Sequence, residues 1–398
     1  MHTLVSFLGR SERPADGYRC VRYDFPDGFQ SQASFVGYSL VRKLRPDRLV
    51  IVGTAGSMWD QLLTDGAEVQ APEGEAEALM ESVDEARTSQ AQLDALAPLL
   101  ASVLDCDVVL RAIPEALDDQ GQTALLSALV EATEGSNQLS LDITHGYRHL
   151  PMLMLMAALY LRSLRSHMEV RGIWYAMLHA AEGRASVQDV SGVLHFADWI
   201  SALQRSELTG DYSKIATLIA DDEVADALRN GGFLETIHRA QQARGLLKKA
   251  RARLQERPLQ GPGALFQPIL ERDTRWVEHQ RLDQRQRAHA ISALERGDFL
   301  RSALYGYEAF VTRLVHQQGE KDVNKQEVRQ DAKRAYEANG SANPDWWAYK
   351  QLRGLRNVLA HGNRADTKEV ESALQSPDTM RAKLSGCLDT LLPEAGNP

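Results

Sequence analysis

The stretch Gln138-Leu139-Ser140-Leu141-Asp142-Ile143-Thr144-His145-Gly146-Tyr147-Arg148-His149-Leu150-Pro151 decides the fold. Its first six residues, QLSLDI, alternate apolar and polar and read as a strand. Thr144 to His149 are small or polar and turn the chain. A helix is expected near Pro151, whose missing N–H costs nothing in a first helical turn. The run Leu150–Leu161 is 12 residues long and is followed by Arg162. A membrane span needs about 20 residues, so the run reads as a buried helix.

Working outward, four further apolar runs have the length and boundaries of buried strands: Thr3–Leu8 (TLVSFL), Arg48–Gly53 (RLVIVG), Asp107–Ala112 (DVVLRA) and Val170–Tyr175 (VRGIWY). Between them the expected helices are Ser31–Leu44, one long helix within Glu75–Leu104, Gly121–Glu134 and Leu150–Ser166. Strands alternating with helices predict a parallel α/β sheet, whose ligands bind outside the carboxyl ends of the strands.

Beyond about residue 190 the pattern is all-α. Helices are expected over Phe196–Leu208, Asp211–Ile219, Glu223–Gly231, Phe233–Gln255, Pro268–Glu295, Phe299–Gln317, Lys325–Glu337, Pro344–Leu359 and Lys368–Leu392. Three prolines and two glycines in Arg257–Pro268 predict a loop. Arg244, Lys248, Lys249, Arg251 and Arg253 make one stretch basic, either an RNA-tracking face or an exposed helix balanced by nearby acids. No internal repeat is present.

The chain has 398 residues, enough for two or three domains. Its net charge of −9 excludes a surface that is basic throughout. Residues 1–200 hold 15 Lys and Arg against 27 Asp and Glu, and residues 201–398 hold 30 against 27. The first half is therefore the acidic one, and Asp65–Asp94, with nine acids and one base, reads as a solvated helical excursion. Cys20, Cys106 and Cys387 are scattered, with no CxxC, which fits a reducing cytoplasm and no disulfide scaffold. The start MHTLVSFLGR lacks the layout of a signal peptide.

Three loops at one sheet edge carry candidate binding residues. Thr144, His145 and Gly146 precede the helix at Pro151, where anions are held, and Arg148 offers a bidentate phosphate contact. Gly53-Thr54-Ala55-Gly56-Ser57-Met58-Trp59 follows the second strand with glycines, hydroxyls and a stacking aromatic. Gly9-Arg10-Ser11 follows the first. Together they predict a nucleotide-like ligand, although both GxGxxG and the P-loop are absent. Asp142 is read as a turn cap with a chemical role as the alternative. His145 and His149 stand at metal-ligand spacing without a third ligand, and no metal is expected.

Asp142-Ile143-Thr144-His145-Gly146 resembles the DxTHG motif that names a family of CRISPR-associated proteins. The resemblance covers residues 1–185. It implies a Rossmann-like CARF domain that senses cyclic oligoadenylate, bound by Gly9, Arg10, Gly53, Thr54, Ala55, Gly56, Ser57, Met58, Trp59, Asp142, Thr144, His145, Gly146 and Arg148. The Gly9–Tyr18 loop departs from the family pattern in being longer and more charged.

A second motif lies in the helical half, Leu352-Arg353-Gly354-Leu355-Arg356-Asn357-Val358-Leu359-Ala360-His361-Gly362. Asn357 and His361, four apart, share a helix face. Arg356 stands about 140° from His361, but its side chain is long enough to curl round. Metal-free RNA cleavage needs a proton taken from the 2′-hydroxyl, a stabilised phosphorane and a proton returned to the 5′-oxygen. Histidine can transfer protons near neutral pH and arginine supplies a fixed charge. The segment resembles the HEPN motif RNxxxH, here Arg356, Asn357 and His361. That implies a metal-independent endoribonuclease site shared by two protomers, with Glu308 as a matching acid on an earlier helix.

The two motifs in this order resemble the CARF–HEPN ancillary ribonucleases of type III CRISPR systems. The implied domains are a sensor over 1–185, a helical connector over 186–285 and a HEPN core over 286–398. The implied protein is a cytoplasmic homodimer, activated by cyclic oligoadenylate and cutting single-stranded RNA, with no cofactor, membrane or DNA partner. Cyclic tetra-adenylate is favoured by family habit. The open alternatives are a sensor with little RNase activity and a ring nuclease that uses Thr144 or His145.

Overall fold

The computed structural model describes residues 1–398 except 11–17, 65–71, 73, 321 and 394–398. Ser11, the middle of the Gly9–Tyr18 loop and part of the acidic excursion fall outside the described residues. The chain divides into two compact units, Met1–Leu194 and His195–Pro398.

The first unit is built on an eight-stranded mixed sheet. Its strands are β1 (His2–Phe7), β2 (Val21–Asp24), β3 (Gln30–Ala33), β4 (Arg48–Gly53), β5 (Asp107–Ala112), β6 (Gln138–Asp142), β7 (Glu169–His179) and β8 (Arg184–Asp189), in the order β3-β2-β8-β7-β6-β1-β4-β5. Helices α1 (Val36–Leu44), α2 (Gln61–Thr64), α3 (Glu75–Asp84), α4 (Gln90–Leu104), α5 (Asp119–Ala132) and α6 (Leu150–Leu164) connect them.

The five expected strands form the parallel block β7-β6-β1-β4-β5, with Val5 level with both Val50 and Leu141. Helices cover both faces of this block, which is why its central strands β1 and β4 are buried almost throughout. Leu4, Leu49 and Ile51 pack on one side with Tyr38, Trp59 and Leu100. Val5, Val50 and Leu141 pack on the other with Leu129, Met154 and Leu161. The alternation is the period of two expected of a strand.

Several expectations for this unit are corrected. β2, β3 and β8 are short and polar (VRYD, QSQA, RASVQD) and carry no apolar run. β2 with β3 and β7 with β8 pair antiparallel, so the sheet is not wholly parallel. Residues 31–33, the start of the helix expected over Ser31–Leu44, belong to β3, and α1 starts at Val36. The single helix expected within Glu75–Leu104 is two, because Ser89 and Gln92 form a capping box that starts α4 afresh.

The second unit is entirely helical among its described residues, as expected. Its helices are α7 (Gly192–Thr209, which begins in the first unit), α8 (Ser213–Ala216), α9 (Asp222–Thr236), α10 (Ala240–Glu256), α11 (Pro262–Asp273), α12 (Leu282–Glu295), α13 (Phe299–Gln317), α14 (Gln326–Asn339), α15 (Trp346–His361), α16 (Lys368–Ala373) and α17 (Pro377–Leu391). One core cluster gathers Trp199, Leu228, Leu247 and Leu270, and another gathers Phe310, Leu352, Leu355 and Leu388.

The loop expected over Arg257–Pro268 ends early, because Pro262 starts α11. Pro268–Glu295 is not one helix, since α11 stops at Asp273. Lys368–Leu392 is likewise divided, where Ser376 caps α17 and Pro377 opens it. Among the described residues no helix is long and apolar enough to cross a membrane.

Candidate functional site

In the first unit β6, β1 and β4 are adjacent and parallel, so the loops after them meet at one edge of the sheet. Hydrogen bonds lock two of these loops together. Ser57 Oγ donates to Leu8 O at 2.9 Å and accepts from Thr54 N at 2.9 Å, and Met58 N donates to Gly9 O at 2.9 Å. Glycine is required at the contacts. A Cβ on Gly9 would lie 3.2 Å from Gly146 N, and one on Gly53 would lie 2.8 Å from Ser57 Oγ.

The loops enclose a cavity of about 510 Å³. Eight expected residues line it: Gly9, Arg10, Thr54, Ser57, Met58, Thr144, His145 and Gly146. Arg19 lines it too, and among the described lining residues there is no carboxylate. A described lining with two arginines and no carboxylate, in the acidic half of the chain, favours an anion.

The remaining expected residues lie outside the lining. Trp59 is fully buried, and its Nε1 donates to Thr54 O at 2.9 Å. It is a packing residue that holds the loop and does not serve as the stacking platform expected. Gly53, Ala55 and Gly56 shape the same loop from beneath. Arg148 is exposed. Asp142 is fully buried; it accepts from Ser6 Oγ and, at 2.9 Å, from Thr144 N, which makes it the turn cap.

Burial pushes the Asp142 carboxyl above the ordinary carboxylate range and pushes His145 down, while their mutual attraction opposes both shifts. The His145 ring stacks on Phe35 with centroids 6.0 Å apart. His149 instead bonds Glu115 O at 2.7 Å and stacks on Tyr147. The two histidines therefore face different partners. Among the described residues no group of His, Cys, Asp and Glu could hold a metal.

Tyr18, Arg19, Ser34 and Gln61 also line the cavity and were not expected. Tyr18 and Arg19 sit just before β2. Their only sequence signal was the adjacency of an aromatic and a cation, which is uninformative until β2 is known to be a strand.

The comparisons with known proteins bear on this unit. Residues 3–178 match the family model described as the CARF domain of the CRISPR system endoribonuclease Csx1. The first unit is thus similar to a Csx1 CARF domain over residues 3–178. The chain is also 26% identical over 259 residues to the CRISPR-associated protein MJ1674 of Methanocaldococcus jannaschii, covering 58% of this chain and 40% of that protein. The chain thus spans less than half the length of that relative. The solved structure of Enterococcus italicus Csm6 bound to cyclic hexa-2′-fluoro-hexa-dAMP aligns over 100% of this chain and 95% of that one, at 12% identity and a TM-score of 0.42. The CARF match ends before the helical unit, whose chemistry must be read from its own residues.

In that unit Arg356, Asn357 and His361 occupy the last turns of α15. Gly362 ends the helix at φ 66°, with its N–H on Val358 O at 2.8 Å. Arg356 Nη1 donates to Asn357 Oδ1 at 2.9 Å, and the guanidinium lies 4.5 Å from the Tyr307 ring centroid. Arg356 Nε is buried and has no hydrogen-bond partner. His361 is exposed at the helix end. Glu308 is one residue from Tyr307 on α13, but its carboxylate pairs with Arg329 of α14 at 2.6 Å. Its contacts are with α14 and not with the α15 triad.

The basic stretch is mostly structural. Arg251 pairs with Glu278 at 3.3 Å and Arg253 with Asp221 at 2.7 Å, and Arg244 donates to Val277 O at 2.8 Å. Lys248 and Lys249 are the cations left exposed on α10.

Proposed function

We propose that the protein is an endoribonuclease of type III CRISPR defence, switched on by cyclic oligoadenylate and independent of metal. The observation that carries the reading is the joining, in one chain, of a cavity whose described lining holds two arginines and no carboxylate, in a CARF-like domain, to an Arg-Asn-His constellation at the end of α15. The ligand sits on the loops after β1, β4 and β6, with its phosphates near Arg10 and Arg19.

At α15 the roles follow from placement. Tyr307 and Asn357 hold the Arg356 guanidinium on one face, leaving it free to meet the phosphorane oxygens. His361 is exposed at the helix end, where RNA can reach it, and transfers the protons. The products carry a 2′,3′-cyclic phosphate and a 5′-hydroxyl. One copy offers a single histidine, so two copies facing each other supply both the base and the acid. The first unit offers the dimer a surface, because Met152, Met156, Tyr160 and Leu164 recur every four residues along α6 and are 43–65% exposed.

The test is cleavage of a fluorogenic single-stranded RNA in EDTA, with cyclic tri-, tetra- and hexa-adenylate added separately. One ring should switch cleavage on. Binding of a ring without cleavage would leave a sensor. A second reading, a ring nuclease, draws on His145, a proton-transfer group on the cavity wall. Linear fragments released from the ring by a His361→Ala variant would support it.

A further inference from the structure

The helical unit contains another cavity, of about 330 Å³, none of whose lining residues belongs to the α15 triad. It adjoins a wider cleft of about 710 Å³, and both are lined by Arg272, Asp273, Ser292 and Arg296. Its volume is at the small end of the range for ligand sites, about 300–1,000 Å³.

One wall is a stack of rings. His289 lies between Trp276 and Tyr305, at centroid distances of 4.4 and 4.8 Å. His289 is only 8% exposed, yet its Nε2 has no hydrogen-bond partner. A buried polar nitrogen left unpaired is costly, and such groups in folded proteins call for a partner.

Arg296 supplies the other half of the argument. Its Nη1 donates to Ser292 Oγ at 2.8 Å. The guanidinium packs against Gly210, where a Cβ would come within 3.2 Å of Nη2. Among the described residues no carboxylate lies within ion-pair distance of Arg296. The neighbouring Arg272 is paired with Asp273 and Arg301 with Asp298. Glu235 accepts from Trp276 Nε1 at 2.7 Å, and burial pushes its carboxyl up to about 8. Burial likewise pushes His289 down to about 3. Burial thus disfavours charge on both, and the half-buried Arg296 makes no ion pair among the described residues, Glu295 being an exposed carboxylate on the rim of the same cavity. The Arg296 guanidinium, the Ser292 hydroxyl and the His289 ring together offer a fixed charge and several hydrogen-bond donors, a set that suits the oxygens of a phosphate.

We propose that this cavity binds a small phosphate monoester, of mononucleotide size or less, with its oxyanion on Arg296 and a hydrogen bond from His289 Nε2–H. The site is separate from the RNase reading and stands or falls without it.

The test is calorimetry of the full chain with 5′-AMP and with inorganic phosphate, in wild type, Arg296→Gln and Arg334→Gln. At least one probe should bind wild type at millimolar concentration or below. Arg296→Gln should weaken that binding about tenfold or more, while Arg334→Gln, exposed on α14 and away from both cavities, should leave it unchanged. Tighter binding of 5′-AMP identifies a monoester as the ligand class; equal binding of both probes makes free phosphate the source. No binding of either probe, or equal binding by wild type and Arg296→Gln, overturns the proposal. Should Arg296→Gln not fold, ¹⁵N-histidine spectra of wild type decide the matter, with the His289 signal assigned through His289→Gln. That signal must move when the probe is added, and a stationary signal overturns the proposal equally.

Discussion

The Arg356 guanidinium is held 4.5 Å from the Tyr307 ring by packing between α13 and α15, two helices whose contact residues lie far apart in sequence. The ring fixes the arginine by cation–π attraction, worth about 0.5–2 kcal/mol. Tyr307→Leu is expected to lower kcat for RNA about tenfold with little change in KM, whereas Tyr307→Phe keeps a ring and most of the activity. A Leu variant as active as wild type, with an equal Tm, would remove the positioning role.

His361 makes no buried contact, so its removal separates chemistry from folding. His361→Ala is expected to reduce cleavage by about 10²–10⁴-fold and to shift stability by less than about 0.5 kcal/mol. Single-turnover cleavage and a thermal melt on the same preparation check both statements. Full activity in this variant would sink the nuclease assignment.

Arg10 and Arg19 are the cations of the CARF cavity, both exposed. Either arginine changed to glutamine should weaken activator binding about tenfold or more, since a hydrogen bond to a charged group is worth about 1.5–3 kcal/mol. The salt dependence of binding should flatten at the same time. Titration of the active ring at two ionic strengths reads both effects.

The α6 stripe is testable by charge. Met156 is 61% exposed, so Met156→Glu leaves the monomer's core intact. Sedimentation equilibrium is expected to show wild-type dimers and variant monomers, with RNase activity lost in the variant. A dimeric, active Met156→Glu protein would place the interface elsewhere.

Glu235 and His289 give the helical unit a pH signature. The native Glu235 carboxyl keeps its proton up to about 8, while the unfolded one loses it near 4.5. Between those values the native state binds more protons, so this group's contribution makes stability fall as pH rises. The native His289 titrates at about 3 and the unfolded one near 6.5, so its contribution makes stability rise with pH over that interval. The two oppose each other between 4.5 and 6.5. From 6.5 to 8 only Glu235 acts, with a slope of at most about 1.4 kcal/mol per pH unit. Denaturant melts should show that decline in wild type and a flatter profile in Glu235→Gln.

Sequence alone located the parallel block, because strands covered on both faces must be apolar throughout, as in RLVIVG. It also located α13 to the residue, Phe299–Gln317, which the structure shows capped by Asp298. It could not locate β2, β3 or β8. These strands are held by pairing with a neighbouring edge, and QSQA or RASVQD looks like loop until that edge exists. Nor could it tell Trp59 the packing residue from Trp59 the ligand platform, because both uses want an aromatic after a glycine-rich turn.

The sequence by itself determined which chemistry is present. It placed Thr144 and His145 after a strand, and it placed Arg356, Asn357 and His361 within two turns of one helix, because strand and helix periods are local properties. Only the tertiary structure decided what those groups face. Arg19 joins the CARF cavity through sheet order, Tyr307 reaches Arg356 through helix packing, and Glu308 is taken by Arg329 because α14 lies beside it. Such contacts join residues remote along the chain, and no local period encodes which of them meet.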